Sequence, residues 1–233
     1  MSSYGQAERD VVSRSSPELH YNKGVALKYE EDFQAALASF ARAAALDPTW
    51  REPAAQERLL AKYLQDIVTL LEVRGKLKAR KLQQLVEGIE EKQLGPYGGG
   101  AFTHHSGTSV PLTLATFAAL QPGTNSEVVV LGKVICSVHS ENTVPFTFCL
   151  VDREARVLAV TVYNLSPGKG VIIGDSVAIC EPFLSRVAVS HGEHSYAFDL
   201  IRVDSPLVLV INGRKGGKEL LAGVAMSSFT CPT

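Results

Sequence analysis

LHYNKGVALKYEEDFQAALASFARAAALDP, residues 19–48, is the stretch that decides the fold. Gly24, Leu27, Phe33, Ala36, Phe40, Ala43 and Pro48 stand at offsets 0, 3, 9, 12, 16, 19 and 24. Small residues at Gly24, Ala36 and Ala43 let two helices approach closely, while Leu27, Phe33 and Phe40 fill the seam between them. Glu31-Asp32 makes the polar turn that an αα-hairpin needs. Asp47-Pro48 stops the second helix, because proline cannot donate the next backbone hydrogen bond. Ser16-Pro17 reads as cap and first position of the first helix, which is predicted to run to about Glu30. The second helix is predicted from about Phe33 to Leu46.

Beyond Trp50 the apolar positions Leu59, Leu60, Tyr63, Leu64, Ile67, Leu70 and Leu71 recur at helical spacing against a charged opposite face. Gly75 marks a break, and Leu82, Leu85, Val86 and Ile89 share one face of a shorter helix. Residues 94–126, beginning LGPYGGGAF, shift to glycine, threonine and serine and read as a linker. From Val128 the periodicity becomes that of strands: VVVLGKVICSV, PFTFCLVD, VLAVTVYN, DSVAICEP, YAFDLIRVD and LVLVING, separated by Gly, Pro, Asp and Asn. Gly132 inside the first run suits a bulge or bend. The expected organisation is a remnant helix (Tyr4 to Asp10) and link over 1–16, helices over 17–93, the linker, a β domain over 127–212 and a flexible tail over 213–233.

The hairpin resembles one tetratricopeptide repeat, and the long helix after it resembles the helix that closes an array of such repeats. A single repeat cannot bury its own apolar face. The expectation is therefore an array continuing upstream in a longer protein, rather than helices packing on the second domain or a partner. The strand runs, with their longest connection after the third, resemble an OB fold, the alternative being another small barrel or sandwich. The fold class is thus α+β: a repeat-type helical hairpin with closing helices, then an OB-like antiparallel barrel.

The totals narrow the function classes. A formal charge of −1 over 233 residues gives no global pull toward nucleic acid or membrane, so any such binding needs a local patch. Cys136, Cys149, Cys180 and Cys231 are widely spaced, and three lie in apolar runs, which suits free buried thiols in a reducing compartment. Residues 1–16 are polar, no signal peptide is read there, and no apolar run approaches the ~18 residues of a membrane span. His191 and His194, like His104-His105, lack further ligands at metal spacing and read as solvated loop residues, so no metal or other cofactor is expected. No P-loop, GxSxG or dinucleotide fingerprint stands in its required strand-to-helix context, and an enzyme is not expected.

Two constellations remain. Arg74, Lys76, Lys78, Arg80 and Lys81 put five positive charges into eight residues where two helices meet. They are either a solvated helix end or a patch for phosphate. On the first hairpin helix, Glu18, Tyr21, Asn22, Val25 and Lys28 fall on one side, the concave side of such arrays, and Glu52 begins the following helix in the same sense. Asn and carboxylate side chains there suit an extended peptide with basic side chains. For the barrel, Phe146, Phe148 and Tyr163 read mainly as core, and Lys133, Arg153 and Arg156 are nearly all the cations that the strands carry. Nucleic-acid binding by the barrel is the alternative reading.

The order of parts is specific: ARAAALDPTWREP, a long helix, RGKLKARKLQ, then LQPGTNSEVVVLGKV, VPFTFCLVD, VYN and IGDSVAI. It resembles the C-terminal half of the Strap family, stress-responsive tetratricopeptide-repeat cofactors with a C-terminal OB domain. The resemblance implies a non-enzymatic adaptor found in nucleus and cytoplasm. It implies a scaffold for a transcriptional co-activator in stress and DNA-damage responses. It also implies a reader of the nascent tubulin peptide at the ribosome that triggers decay of tubulin mRNA. By position, Glu18 and Glu52 match the family's acidic groove residues, with Glu18 where a relative has aspartate. Lys78 and Arg80 match basic positions that meet the ribosome, where rRNA phosphate would give salt-sensitive contact, while contact with other DNA or RNA belongs to the alternative reading. Neither a membrane nor a small-molecule substrate is implied.

Overall fold

The structure is a computed structural model that describes residues 16–103, 107, 109–139 and 145–223. The chain divides into two compact units. The first holds the described residues up to Thr69 together with Arg186–Asp199, and the second holds the remaining described residues but for His139.

In the first unit, α1 (Pro17–Tyr29) and α2 (Phe33–Leu46) form the hairpin. Ser16 Oγ accepts from Leu19 N at 3.2 Å and caps α1, with Pro17 in its first turn. Glu31 turns the chain at φ 62°, and Asp32 Oδ1 accepts from Ala35 N at 3.1 Å to cap α2. The seam is as tight as its small residues imply: a Cβ on Gly24 would lie 2.7 Å from Phe40 Cε1. Phe33, Ala36, Leu37, Phe40 and Ala43 are buried along it. Asp47 Oδ1 then accepts from Thr49 N, Thr49 Oγ1 and Trp50 N, which turns the chain into α3 (Arg51–Glu72). Hydrogen bonds from the Thr49 side chain and backbone hold the Asp47 carboxyl below its ordinary range. Pro53, Leu60, Tyr63, Leu64 and Ile67 form the buried stripe of α3.

In the second unit, α4 (Ala79–Glu87) follows the break at Gly75 and buries Leu82 and Leu85. The strands are β1 (Ala101–Thr103), β2 (Ser109–Pro111), β3 (Thr113–Ala115), β4 (Gly123–Thr124), β5 (Val128–Val138) and β6 (Phe146–Val151). They continue as β7 (Val157–Val162), β8 (Ser176–Cys180), β9 (Phe183–His191), β10 (His194–Val203), β11 (Leu209–Ile211) and β12 (Arg214–Lys215), the Arg186–Asp199 part of β9 and β10 being counted with the first unit. β5, β6 and β7 form an antiparallel meander, and β10 joins β7 in parallel. β8 pairs antiparallel with β5, and after Glu181-Pro182 the chain runs on as β9 beside β10. The strand order is therefore β12-β11-β8-β5-β6-β7-β10-β9-β4, a sheet curled around one apolar core. Val130, Val134, Phe148, Leu150, Val160, Ile179 and Ile201 pack inside it.

The structure departs from the sequence reading in three places. Residues 94–126, read as a linker, are built into the barrel unit. β3 pairs with β5, β4 pairs with β9, and Leu94, Tyr97, Phe117 and Leu120 are buried. These anchors stand singly between two- and three-residue strands, so no period marks them in the sequence. Residues 70–93, read with the helical domain, fall in the barrel unit. The start of the segment read as a tail is also paired: β12 lies on β11, and Leu221 bridges Leu165. The bulge expected at Gly132 lies between Val134 and Cys136. Gly132 is instead required by the Val151 carbonyl, which would stand 2.8 Å from a Cβ there. The remnant helix read over Tyr4 to Asp10 and the pair His104-His105 lie outside the described residues.

Candidate functional site

The acidic set belongs to the first unit. Glu18 and Asn22 lie one turn apart on α1, both exposed. Ser16 Oγ donates to Glu18 Oε2 at 2.9 Å, which orients that carboxylate beside the helix start. Glu52 is exposed in the first turn of α3, a favourable end for a carboxylate, and accepts from Gln56 Nε2 at 2.9 Å. The structure adds an aromatic pair that the sequence reading missed. Tyr21 packs on Trp50 with ring centroids 4.9 Å apart and on Phe40 at 5.8 Å. Burial and then the nearby Glu52 charge push the Tyr21 hydroxyl pKa up, so Glu52 and the aromatic pair share one neighbourhood. A carboxylate beside half-buried rings suits a cationic side chain with an apolar stem. The chain's single tryptophan directly after the Pro48-Thr49 turn was the available signal.

The basic set belongs to the second unit. Arg74, Gly75 and Lys76 take φ values of 47°, 67° and 60°, a left-handed turn. A Cβ on Gly75 would lie 2.9 Å from the Ile135 carbonyl oxygen, so this turn rests directly on β5. Lys78 then caps α4 without a side-chain hydrogen bond, and Arg80 and Lys81 occupy its first turn. All five cations are exposed, and among the described residues none has a side-chain hydrogen bond or ion pair. A helix N-terminus carries partial positive charge, so cations crowded there are unfavourable until an anion arrives.

The barrel itself offers little to nucleic acid. Phe148 and Tyr163 are buried, and Phe146 packs partly buried against the barrel core. Arg153 is spent on the Ile89 carbonyl, at 3.2 and 3.1 Å, and on Glu91 Oε1 at 3.2 Å. Burial lowers the Lys133 pKa, against the raising influence of Asp175 and Glu90. OB folds bind oligonucleotides through the face of strands 2–3 and neighbouring loops, including the hairpin loop between strands 4 and 5. Here that loop joins β9 to β10 and packs within the helical unit: Ser190 N donates to Gln34 Oε1 at 2.8 Å, and His191 Nε2 lies 3.2 Å from Glu57 Oε1. His191 is thus partnered by a carboxylate. Among the described residues no group of His, Cys, Asp and Glu could hold a metal ion, and no helix is long and apolar enough to cross a membrane.

A helical hairpin with a long closing helix, followed by an OB-type barrel, defines a repeat-plus-OB class of protein. Residues 111–225 match the family described as Tetratricopeptide repeat protein 5 OB fold domain. Over 229 residues the chain is 44% identical to tetratricopeptide repeat protein 5 of Homo sapiens and of Bos taurus. The Mus musculus protein is equally similar, at 44%. Each alignment covers 98% of this chain and 52% of the relative, so the chain spans about half the length of the curated relatives it matches. Nearly the whole of this chain is thus similar to one half of these proteins. An OB domain from Methanosarcina mazei aligns with 50% of the chain and 97% of its own length, at 10% identity and a TM-score of 0.32, too distant to bear on function.

Proposed function

We propose that this chain is a non-enzymatic adaptor that bridges a peptide and a phosphate-rich partner. The observation that carries the reading is the basic turn: five exposed cations, seated on β5 and without side-chain partners among the described residues. Buried or paired cations serve a fold, whereas these serve what docks on them. Glu18, Asn22 and Glu52, with Tyr21 and Trp50, supply the peptide side of the adaptor and select a basic side chain.

Similarity to tetratricopeptide repeat protein 5 makes the ribosome the phosphate-rich partner in this reading, and the nascent tubulin N-terminus the peptide. Decay of tubulin mRNA is the outcome, carried out by others in the cytoplasm. A nuclear scaffold for a transcriptional co-activator would use the same surfaces for protein docking. Co-sedimentation with purified ribosomes tests the reading. The wild-type chain is expected to pellet at low salt, and Lys78→Glu/Arg80→Glu is expected to lose binding roughly tenfold or more. Equal pelleting of both chains would discard the basic turn as the contact.

A further inference from the structure

Cys136 on β5 and Cys149 on β6 are direct partners in an antiparallel ladder. The register shifts between Val134 and Cys136, which makes Ile135 the extra residue of a bulge. Phe148 and Leu150, on either side of Cys149, lie in the barrel core, so strand alternation turns Cys149 to the outer face. Cys136 stands opposite it on that face. Both are free thiols, Cys149 fully buried and Cys136 6% exposed. Opposed residues of an antiparallel pair hold their Cα atoms about 4.5–5.5 Å apart. A disulfide accepts roughly 4.4–6.8 Å, a range that includes this ladder spacing.

The basic turn packs against Cys136. A Cβ on Gly75 would lie 3.1 Å from the Cys136 Cβ. Arg74 and Lys76 hold left-handed backbone, which is strained for a non-glycine residue. A strained surface turn opens more readily than the paired strands beneath it. The two sulfurs are also unlike. A hydrogen bond from the Cys149 thiol draws the Cys136 pKa down, while that bond and burial push Cys149 up. The sulfur nearer the solvent is therefore the first to ionise and attack.

We propose that Cys136 and Cys149 form an oxidisable dithiol that a low-molecular-weight disulfide, such as oxidised glutathione, closes to an intrachain cross-strand disulfide when the turn at 74–76 lifts. The Cys136 thiolate attacks one glutathione sulfur, the glutathione S–S bond breaks, and one glutathione leaves as a thiolate that takes up a proton. Cys149 then gives its proton to solvent and attacks the Cys136 sulfur of the mixed disulfide, expelling the second glutathione. Two protein thiols are oxidised, and one glutathione disulfide is reduced to two thiols. Cys180 is the internal contrast: it is buried, its ladder partner is Val129, and burial followed by the Glu181 charge pushes its pKa up to about 11.

The test incubates the full native chain with oxidised glutathione, quenches by alkylation and maps the peptides by mass spectrometry. The expected result is a Cys136–Cys149 link that dithiothreitol reverses, with Cys180 alkylated throughout. The wild-type time course should show a Cys136 glutathione adduct that rises and falls as the link accumulates, and Cys149→Ala should stop at that adduct. Full alkylation of both residues after oxidation, or a stable Cys136 adduct in the wild-type chain without a link, would overturn the proposal.

Discussion

The helical hairpin and the barrel unit are held together by different means. Across the α1–α2 seam the contact is steric and apolar, Gly24 against Phe40, with no polar group needed at the crossing. In the barrel unit, side chains reach across the chain to backbone groups. Asp152 is buried and accepts from Phe117 N at 2.8 Å, Arg156 N at 2.9 Å and Glu154 N at 3.0 Å. Tyr97 OH donates to the Val208 carbonyl at 2.8 Å. Asn125 Nδ2 donates to the carbonyls of Gln121, Gly123 and Pro182. A seam of interlocked shapes fails through volume, and a unit pinned by polar tethers fails through unsatisfied donors.

Phe40→Ala should have the largest effect, because it empties a fully buried site: about 3–5 kcal/mol of stability lost in denaturant melts. Asp152→Ala should cost about 2–3 kcal/mol, since the buried Phe117 N–H loses its acceptor while the two turn donors can turn to water. Gly24→Ala is the finer probe of the seam. Overpacking against Phe40 costs about 1–3 kcal/mol, and alanine returns about 1 kcal/mol of helix propensity. A net loss near 1 kcal/mol is expected, and a stabilised variant would mean that the seam is looser than its geometry. The smallest effect is a pH dependence at Asp47. Its folded pKa is depressed, so its contribution is complete above the ordinary aspartate range near pH ~4 and is lost as pH falls through the depressed value. Melts of wild type and Asp47→Ala should therefore differ at neutral pH and converge in acid.

The same contrast explains what the sequence makes legible. The hairpin is encoded locally: spacing, cap residues and Pro48 mark its helices to within a residue or so, because each signal acts over a few positions. The long barrel runs are legible too, since a largely apolar run of six residues is a local signal. What escapes is long-range. Tyr97 meets Val208 and Phe117 meets Asp152 across separations that no window contains. In β9, Arg186, Ala188 and Ser190 are exposed while Leu184, Val187 and Val189 are buried. With Ser185 and His191 added, that strand carries too much polarity to stand out as an apolar run. At the candidate site the charges of Glu18, Glu52, Lys78 and Arg80 are visible in the sequence. The left-handed turn that seats the basic residues on β5, and the Tyr21–Trp50 pair beside Glu52, emerge only from packing.

The central claim, that the basic turn contacts phosphate, is tested most directly by the salt dependence of ribosome binding for wild type and Lys78→Gln/Arg80→Gln. If both cations neutralise phosphates, the slope of log affinity against log salt should shrink by roughly two in the double variant. Such substitutions at exposed positions should leave stability within about 0.5 kcal/mol, so the change would report the contact itself. An unchanged slope, at unchanged affinity, would contradict the account and move the adaptor's second contact elsewhere on the molecule.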